Sequence, residues 1–285
     1  MNPNLAPQFR KYLEMSDEER IYFIQKDKWI DYPLANKVLL KMQDIFNAPK
    51  SIRSRGMLLY GDSNNGKTAI LKKFYRNFSK DEYIDEDGDL IHLMPIVYVI
   101  SESSSDESVM FSKILSAMNV PVNHKEKVTK KKEEVIYNLG IMKTKLIIID
   151  EIQNVLQGPY NKMTQLITSL KTLNNTTAIP IILAGTQDAM SAISIDNQTK
   201  SRFKPLELPN WNNDKNFSRF ITTIEAMLPL KQASNLYQNY ELLTYIHELS
   251  NGCIGEVIDI LKDASIYAIR TKSERITKKE IKEIL

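Results

Sequence analysis

The sequence predicts a three-layer α/β fold built around a parallel β-sheet. Short, continuously apolar segments typical of buried strands alternate with segments of helical periodicity throughout 56–209. The pattern is purely helical from 211 to 285, and it is helical with breaks over 1–50. We therefore predict an N-terminal helical extension over 1–50, an α/β core over 51–210 and a small C-terminal helical lid over 211–285.

The first predicted strand of the core, Gly56–Tyr60, runs directly into a loop that contains two glycines. This loop, 61–68, matches the pattern G-x-x-x-x-G-K-T, and a helical pattern begins immediately after it. A strand, this loop and a helix in that order are typical of the phosphate-binding P-loop, so the chain is predicted to bind a nucleotide. The predicted contacts are Gly61, Asp62, Ser63, Asn64, Asn65, Gly66, Lys67, Thr68 and Ala69.

The residue types in this loop suit a triphosphate with a magnesium ion. Gly61 and Gly66 let the backbone turn its N–H groups inward, and the N-terminus of the following helix adds positive potential. Lys67 can reach the β- and γ-phosphates. The Thr68 hydroxyl is placed to bind Mg²⁺.

Two carboxylates at the end of another predicted strand complete the expected site. The apolar run 145–149 is followed by Asp150 and Glu151, which is a Walker B pattern. The carboxyl ends of parallel strands lie beside the P-loop, so Asp150 is expected to hold Mg²⁺ through water. Glu151 is expected to orient and polarise the attacking water. The alternative is an ordinary Asp–Glu pair at the start of a helix, where carboxylates suit the helix dipole.

Two further polar residues lie beside later strands. Thr186 ends the buried run 179–185, where its hydroxyl can lie between Glu151 and a γ-phosphate. Arg202 directly precedes the last predicted strand, 203–208. These positions resemble the first sensor and the arginine finger of AAA+ ATPases, and the finger acts on ATP bound by the neighbouring subunit. The alternatives are an ordinary turn at Thr186 and a solvent-exposed arginine at Arg202.

The resemblance to AAA+ ATPases also gives expectations for the two helical segments. Tyr32, together with Trp29 and Ile30, can form one wall of an adenine pocket, and simple packing of these side chains on the core is the alternative. The second sensor of the lid is expected near Gly255, but the segment 252–258 contains no arginine. A backbone or other polar contact can replace it, and we expect slow ATP hydrolysis.

A series of short motifs runs in order through the chain. They are Glu19–Ile21, Trp29–Pro33, Gly61–Thr68, Ile149–Gln153, Ala184–Ala189, Ser201–Phe203, Leu208–Trp211 and the lid segment 250–268. Together they resemble one family of AAA+ proteins, the transposition ATPases of the TniB/TnsC type, which are related to phage MuB. The P-loop is generic to nucleotide-binding proteins, whereas the motifs from Ala184 to Trp211 are more specific.

This resemblance implies a regulator of transposition that uses ATP and Mg²⁺. Members of the family assemble with ATP into homo-oligomeric rings or helical filaments on double-stranded DNA, independently of its sequence. They recruit and activate a DDE transposase, in some cases with a target-selection protein, and ATP hydrolysis disassembles them. Two other functions stay open: a different DNA-associated AAA+ ATPase similar to a helicase loader, and a nucleotide-gated assembly module with little hydrolysis.

The signal for DNA binding in the residues themselves is a local cluster of lysines. The net charge is only +3, but the segment 125–132 contains five lysines and one glutamate. Such a cluster can neutralise phosphates without reading the base sequence. Nearby glutamates dilute it, so a solvated helix face is the alternative. The candidate DNA contacts are Lys113, Lys130, Lys131 and Lys132.

The composition argues against several other classes of protein. No apolar run reaches the ~20 residues of a membrane-spanning helix, and the N-terminus lacks the pattern of a signal peptide. Cys253 is the only cysteine, so no intramolecular disulfide can form, and the three histidines lack the spacing of zinc ligands. We therefore expect a cytoplasmic protein with no membrane partner, and the resemblance to TniB/TnsC-type ATPases implies that it is bacterial.

Overall fold

The structure is a computed structural model that describes residues 2–51, 54–78, 82–84, 88, 90–156, 158–194 and 197–285. The strands in this part of the chain are β1 (Gly56–Tyr60), β2 (Glu82–Ile84), β3 (Leu90–His92), β4 (Ile96–Ile100), β5 (Leu146–Asp150), β6 (Ile181–Gly185) and β7 (Phe203–Glu207). Five of them form a parallel sheet in the order β4-β5-β6-β1-β7. β2 and β3 form a separate antiparallel pair.

This sheet confirms the predicted α/β fold. Every residue of β5 and β6 is buried. A central strand reaches that state only when helices cover both faces of the sheet, which gives three layers. The five strands predicted for the core are the five strands of the parallel sheet.

Helices make up most of the remaining described chain. The α-helices there are α1 (Asp17–Gln25), α2 (Pro33–Asn47), α3 (Lys67–Tyr75), α4 (Glu107–Ala117), α5 (Val128–Ile141), α6 (Gln153–Leu156), α7 (Tyr160–Thr177), α8 (Gln187–Ser194), α9 (Asn197–Arg202), α10 (Lys215–Glu225), α11 (Tyr240–Ser250), α12 (Ile254–Arg270) and α13 (Lys278–Lys282). Two 3₁₀ helices span Pro7–Glu14 and Leu236–Gln238. None of these described helices is long and apolar enough to cross a membrane.

The chain packs as two compact units. The helical unit comprises Met1–Tyr32, Asn64–Gly66 and Pro209–Leu285, and the sheet unit comprises Pro33–Ser63 and Lys67–Leu208. Helix α2 therefore belongs to the sheet unit. These units are groups of packed residues, and the domain division at 1–50, 51–210 and 211–285 stays a prediction.

The hydrophobic core of the sheet unit fixes the positions of β4, β5 and β6. Apolar side chains of β4, β5 and β6 pack against buried residues of α4, among them Phe111, Ile114 and Leu115. Each fully buried side chain of this kind contributes about 1.5–3 kcal/mol relative to an exposed one. The carboxyl ends of these strands are thus fixed by close packing, and polar side chains can be placed there with little freedom.

A buried ion pair connects α1 to the segment after α12 in the helical unit. Arg20 is fully buried, and its Nη1 lies 2.9 Å from Oε1 of Glu274. Its Nε and Nη2 donate to the carbonyl oxygen of Pro229 at 3.0 and 2.7 Å. Burial tends to raise the pKa of Glu274, but its hydrogen bonds, first of all from Arg20, hold that pKa below its usual value. The charges are therefore paired and hydrogen-bonded, as buried charges must be.

Replacing Arg20 by methionine is expected to lower the stability of the helical unit by about 3–5 kcal/mol, because Glu274 loses its buried partner. The folded-state pKa of Glu274 is depressed, so the stabilisation is present above its unfolded-state pKa and is lost as the pH falls through the folded-state value. Thermal unfolding followed by circular dichroism near pH 7 and below pH 4.5 measures both effects. The control is Lys272→Met, which removes an exposed ion pair with Asp17. Equal melting temperatures for wild type and Arg20→Met would contradict the assignment.

Candidate nucleotide-binding site

The candidate site of the sheet unit lies at the carboxyl edge of the sheet. β1, β6 and β5 are consecutive strands there. Gly61, Thr186 and Glu151 each come directly after the last residue of one of these strands. The N–H of Gly61 donates to the carbonyl oxygen of Gly185 at 3.2 Å. The start of the predicted phosphate loop, the predicted sensor and the predicted base therefore share one edge, where ligands of parallel α/β sheets bind.

The Asp150 carboxylate accepts three hydrogen bonds at this edge. It is 1% exposed. Its Oδ2 accepts from the hydroxyls of Thr68 and Tyr98 at 2.8 and 2.6 Å, and its Oδ1 accepts from the N–H of Glu151 at 2.9 Å. The Thr68 hydroxyl donates a hydrogen bond to Asp150, so the lone pairs of the Thr68 oxygen are available to a cation. Hydroxyl and carboxylate oxygens are the ligands that Mg²⁺ prefers, and these residues fit that ion.

Tyr98 of β4 belongs to this site, although the sequence analysis gave it no role. Burial, its hydrogen bond to Asp150 and the charge of Asp150 raise the pKa of Tyr98 well above the usual value for tyrosine. The phenol is therefore a hydrogen-bond donor at all physiological pH values. A tyrosine in the middle of the apolar run Ile96–Ile100 is the signal that would have found it.

Replacing Tyr98 by phenylalanine is expected to raise the Mg²⁺ concentration required for nucleotide binding by about tenfold, because groups that orient a metal ligand have effects of that size. Titration of Mg²⁺ at a fixed concentration of a fluorescent ATP analogue measures the change. Tyr83→Phe is the matched control, since that hydroxyl donates to the carbonyl oxygen of Ile141 at 3.0 Å. An unchanged Mg²⁺ requirement in Tyr98→Phe would show that Thr68 and the N–H of Glu151 orient Asp150 and that the Tyr98 hydroxyl is not required.

The predicted phosphate-binding lysine is held inside its own loop. Lys67 is buried, and its Nζ donates to the carbonyl oxygens of Gly61 and Asp62 at 2.9 and 2.6 Å. Rotation of the side chain can exchange these neutral acceptors for phosphate oxygens. The Asp62, Ser63 and Ala69 side chains are exposed.

The middle of the loop, Asn64–Gly66, packs within the helical unit against the start of α12. The N–H of Gly255 donates to the carbonyl oxygen of Asn64 at 2.9 Å. A Cβ atom at Gly255 would lie 2.2 Å from that oxygen, so only glycine allows this approach. The side-chain amide of Asn64 donates to Glu256 at 2.9 Å and to Asp259 at 3.3 Å. The start of α12, where the second sensor is expected, thus contacts the loop through a glycine N–H and two carboxylates.

Tyr32 is buried in the aromatic cluster of the helical unit. Its ring meets Trp211 and Phe220 edge-on, with centroid distances of 5.4 and 5.9 Å. Burial raises the pKa of its hydroxyl well above the usual value. The structure thus gives Tyr32 a packing role, and contact with adenine stays a prediction.

Thr186 presents a buried hydroxyl at the edge of the sheet. Its Oγ1 has no hydrogen-bond partner within the described part of the chain. A threonine directly before a helix usually uses this oxygen to cap a backbone N–H, but here, before α8, it does not. The hydroxyl is therefore available to a ligand such as a phosphate oxygen.

Arg202 lies at the amino-terminal ends of the strands, opposite the carboxyl edge that carries the candidate site. It precedes Phe203, which pairs with Gly56 at the start of β1, whereas the P-loop follows the end of that strand. A strand of this length spans roughly 16 Å, so Arg202 is remote from the start of its own P-loop. The side chain is half-buried, and its Nη1 is buried with no hydrogen-bond partner among the residues that the structure describes.

The candidate DNA-binding lysines differ in exposure. The Lys130 side chain is 62% exposed and pairs with Glu126 at 2.6 Å, and the half-buried Lys113 pairs with Glu102. Lys132 is half-buried. Lys131 is only 2% exposed, and its ammonium donates to the hydroxyls of two α4 serines, Ser108 and Ser112, at 2.8 and 3.0 Å. Lys131 therefore does not suit the DNA contact predicted for it, because it faces α4 instead of solvent.

Comparison with known proteins connects the chain to a bacterial protein family. The family model described as bacterial TniB protein matches residues 20–213. This range contains the P-loop, Asp150, Glu151, Thr186 and Arg202. No curated protein sequence matches the chain at a significant level.

The fold is similar to that of ORC and Cdc6 proteins. The Aeropyrum pernix ORC2 protein, in ADPNP–ADP complexes, matches with a TM-score of 0.65 and 15% identity over 92% of this chain and 70% of that chain. The ORC1 protein of the same organism, in complex with DNA, matches with a TM-score of 0.64 and 15% identity over 93% and 68%. Cdc6p from Pyrobaculum aerophilum matches with a TM-score of 0.65 and 16% identity over 95% and 72%. At these identities the similarity establishes the AAA+ P-loop NTPase fold and nothing further.

Proposed function

This chain belongs to the bacterial TniB family, and on that premise we propose that it is an ATP-dependent regulator of transposition that assembles on double-stranded DNA. The observation that carries the proposal is the carboxyl edge of the sheet. There, inside the range matched by the family, Thr68, Asp150 and Glu151 form a connected set of hydrogen-bonded groups. A regulator that needed no ATP would have no use for that set.

The loop 61–68 binds the triphosphate of ATP in this proposal. Backbone N–H groups and the N-terminus of α3 surround the phosphates, and Lys67 turns from Gly61 and Asp62 toward the β- and γ-phosphates. Thr68 and Asp150 would hold Mg²⁺. When bound, that ion neutralises part of the charge on the phosphate oxygens.

Glu151 and Thr186 act on the hydrolytic step. The Glu151 carboxylate accepts a hydrogen bond from the attacking water and orients it toward the γ-phosphate. The Thr186 hydroxyl donates to a γ-phosphate oxygen. Arg202 supplies positive charge to the ATP of the neighbouring subunit, since it lies at the opposite edge of the sheet from its own loop.

Hydrolysis is slow in this proposal, and the start of α12 supports that rate. By resemblance to AAA+ ATPases, the second-sensor arginine is expected near Gly255, but the neighbouring side chains of α12 that accept from Asn64 are the carboxylates Glu256 and Asp259. Carboxylates cannot stabilise negative charge on the γ-phosphate. Slow turnover would let an ATP-bound assembly persist on DNA, and it also keeps the nucleotide-gated assembly module as the second candidate function.

Sequence-independent contacts to the DNA backbone come from lysines that reach the surface, with the exposed Lys130 and the half-buried Lys113 and Lys132 as candidates. Recruitment of a DDE transposase, and of a target-selection protein where one exists, follows the resemblance to TniB/TnsC-type ATPases. A cytoplasmic location follows from the same resemblance. These partners are proposals that depend on the family alone.

Electron microscopy of the protein with duplex DNA and a non-hydrolysable ATP analogue tests the proposal. Rings or helical filaments are expected with the wild type, whose assembly should not depend on the DNA sequence. Lys67→Ala should show neither, because it cannot hold the triphosphate. If wild-type protein forms no assembly with or without DNA, the oligomeric regulator is rejected. Assemblies that form equally well without nucleotide would reject the role of ATP.

A further inference from the structure

The side chain of Gln153 connects two strand ends of the site. It lies two residues after Glu151, at the start of α6, and is 9% exposed. Its Nε2 donates to Oε2 of Glu151, and its Oε1 accepts from the backbone N–H of Thr186 at 3.2 Å. Both ends of one amide group are therefore engaged, one by the residue after β5 and the other by the residue after β6.

The Gln153 amide packs closely against Gly185 and its neighbours. A Cβ atom at Gly185 would lie 2.8 Å from Oε1 of Gln153, 2.8 Å from Ala189 and 2.9 Å from Ile152. Distances under 3.0 Å are closer than real Cβ contacts, so a larger residue at Gly185 would displace Gln153. A glycine is therefore required at the end of β6 so that the Gln153 side chain can occupy its position.

The backbone at Glu151 is also fixed, which leaves the direction of its side chain to be set. Glu151 has a φ of 57°, a left-handed conformation that is unfavourable for a side-chain-bearing residue. Its N–H donates to Oδ1 of Asp150, and its carbonyl oxygen accepts from the Ser101 hydroxyl. The described hydrogen bond to the carboxylate itself comes from Gln153. That bond engages Oε2, so Oε1 is the oxygen that can accept from water.

We infer that Gln153 is a positioning residue that sets the orientation of the Glu151 carboxylate and couples it to Thr186. This inference rests on the proposed function, in which Thr186 contacts the γ-phosphate and Glu151 orients water. When the Thr186 hydroxyl binds a γ-phosphate, the backbone N–H of Thr186 shifts slightly. The Gln153 amide, which accepts from that N–H, transmits the shift to the Glu151 carboxylate. Activation of water then depends on an occupied γ-phosphate position, which limits hydrolysis to correctly bound ATP.

The test is Gln153→Met, which keeps the length of the side chain and removes both hydrogen bonds. A misplaced base costs on the order of tenfold to a hundredfold in rate, so kcat should fall by that factor. KM and the affinity for a non-hydrolysable analogue should stay within about twofold of wild type, because Gln153 acts on the chemical step only. Gln165→Met is the matched control, since the Gln165 amide donates to the Glu107 carboxylate at 2.6 Å on an exposed surface. That variant should keep wild-type kcat.

A double-mutant cycle separates positioning from a general structural role. In a Glu151→Gln background, Gln153→Met should cause less than a twofold further loss of the residual rate, because the group it positions is already gone. A further loss of tenfold or more there, or a rise in KM that accounts for the whole effect, would overturn the inference. Wild-type kcat in Gln153→Met would overturn it too.

The results that would contradict the proposed function differ from those that would contradict the role of Gln153. It fails if wild-type protein does not hydrolyse ATP or if Glu151→Gln retains wild-type kcat. An active wild type, an inactive Glu151→Gln variant and an unaffected Gln153→Met variant would remove only the inference about Gln153. Analogue binding and thermal unfolding of Gln153→Met show that the variant is folded when its rate is measured.

Discussion

Replacing Glu151 by glutamine is expected to lower kcat for ATP hydrolysis at least about a hundredfold while leaving ATP affinity nearly unchanged. Glutamine has the shape of glutamate but cannot take up a proton, and general-base catalysis contributes about 10²–10⁴-fold. In the proposed function the groups that hold ATP are separate from this carboxylate, since Lys67 and Thr68 belong to the P-loop and its helix. Phosphate release under steady-state conditions and binding of a fluorescent ATP analogue measure the two quantities.

The same substitution is expected to make assemblies on DNA persist. If hydrolysis ends the assembled state, a variant that binds ATP without hydrolysing it should stay on duplex DNA after free ATP is removed. Wild-type protein should dissociate over the time of its own turnover. Dissociation rates measured on immobilised DNA compare the two, and equal rates would separate disassembly from hydrolysis.

Two variants serve as references for Glu151→Gln. Glu102→Gln changes an exposed glutamate that pairs with Lys113, and it should behave as wild type. Lys67→Ala should lose both ATP binding and assembly, because its ammonium is the charge aimed at the phosphates. If Glu151→Gln instead loses ATP binding as severely as Lys67→Ala, the carboxylate has a structural role and another group serves as the base.

The sheet and its functional edge could be predicted from the sequence because both depend on local patterns. A strand buried on both faces, such as β5 or β6, is a continuous apolar run, and a polar residue at its end is conspicuous. The P-loop is a contiguous segment with fixed spacing. Asp150, Glu151 and Thr186 then follow from the rule that ligands bind at the carboxyl ends of parallel strands.

Residues that act through tertiary contacts could not be predicted in the same way. Tyr98 is conspicuous as a polar residue inside an apolar run. The partners of Tyr98 and Gln153, however, come from strands far apart in the chain that are neighbours in the sheet, and no spacing in the sequence reveals those partners. Lys131 shows the converse error. Its cluster suggested a charged surface, but the helical phase of α5 turns this one lysine onto Ser108 and Ser112. Charge counts over a segment do not distinguish the two faces of a helix.

Arg202→Ala is expected to lower kcat on the order of a thousandfold, since an arginine supplied to a transferring phosphoryl group is worth about 10³–10⁵. The affinity of each subunit for ATP should change little, because the residue lies at the sheet edge opposite its own P-loop. The buried Nη1 of Arg202 has no hydrogen-bond partner among the described residues, and an unsatisfied buried donor costs about 1–3 kcal/mol, which is consistent with an acceptor supplied by a neighbouring subunit. Lys200→Ala, two residues earlier on α9 and exposed, is the control and should keep wild-type kcat.

A mixing experiment decides whether Arg202 acts on its own ATP or on that of a neighbour. Arg202→Ala and Glu151→Gln proteins are each expected to be nearly inactive alone, and both should still bind ATP and assemble. In a mixed head-to-tail assembly, some interfaces join an intact Glu151 to an intact Arg202, about a quarter of them at equal amounts if subunits mix at random. Hydrolysis should therefore return in part, with a maximum near equal amounts. Activity that stays at the level of the separate variants at every ratio, while electron microscopy shows mixed assemblies, would mean that each active site needs its own Arg202, and the site would then not be shared between subunits.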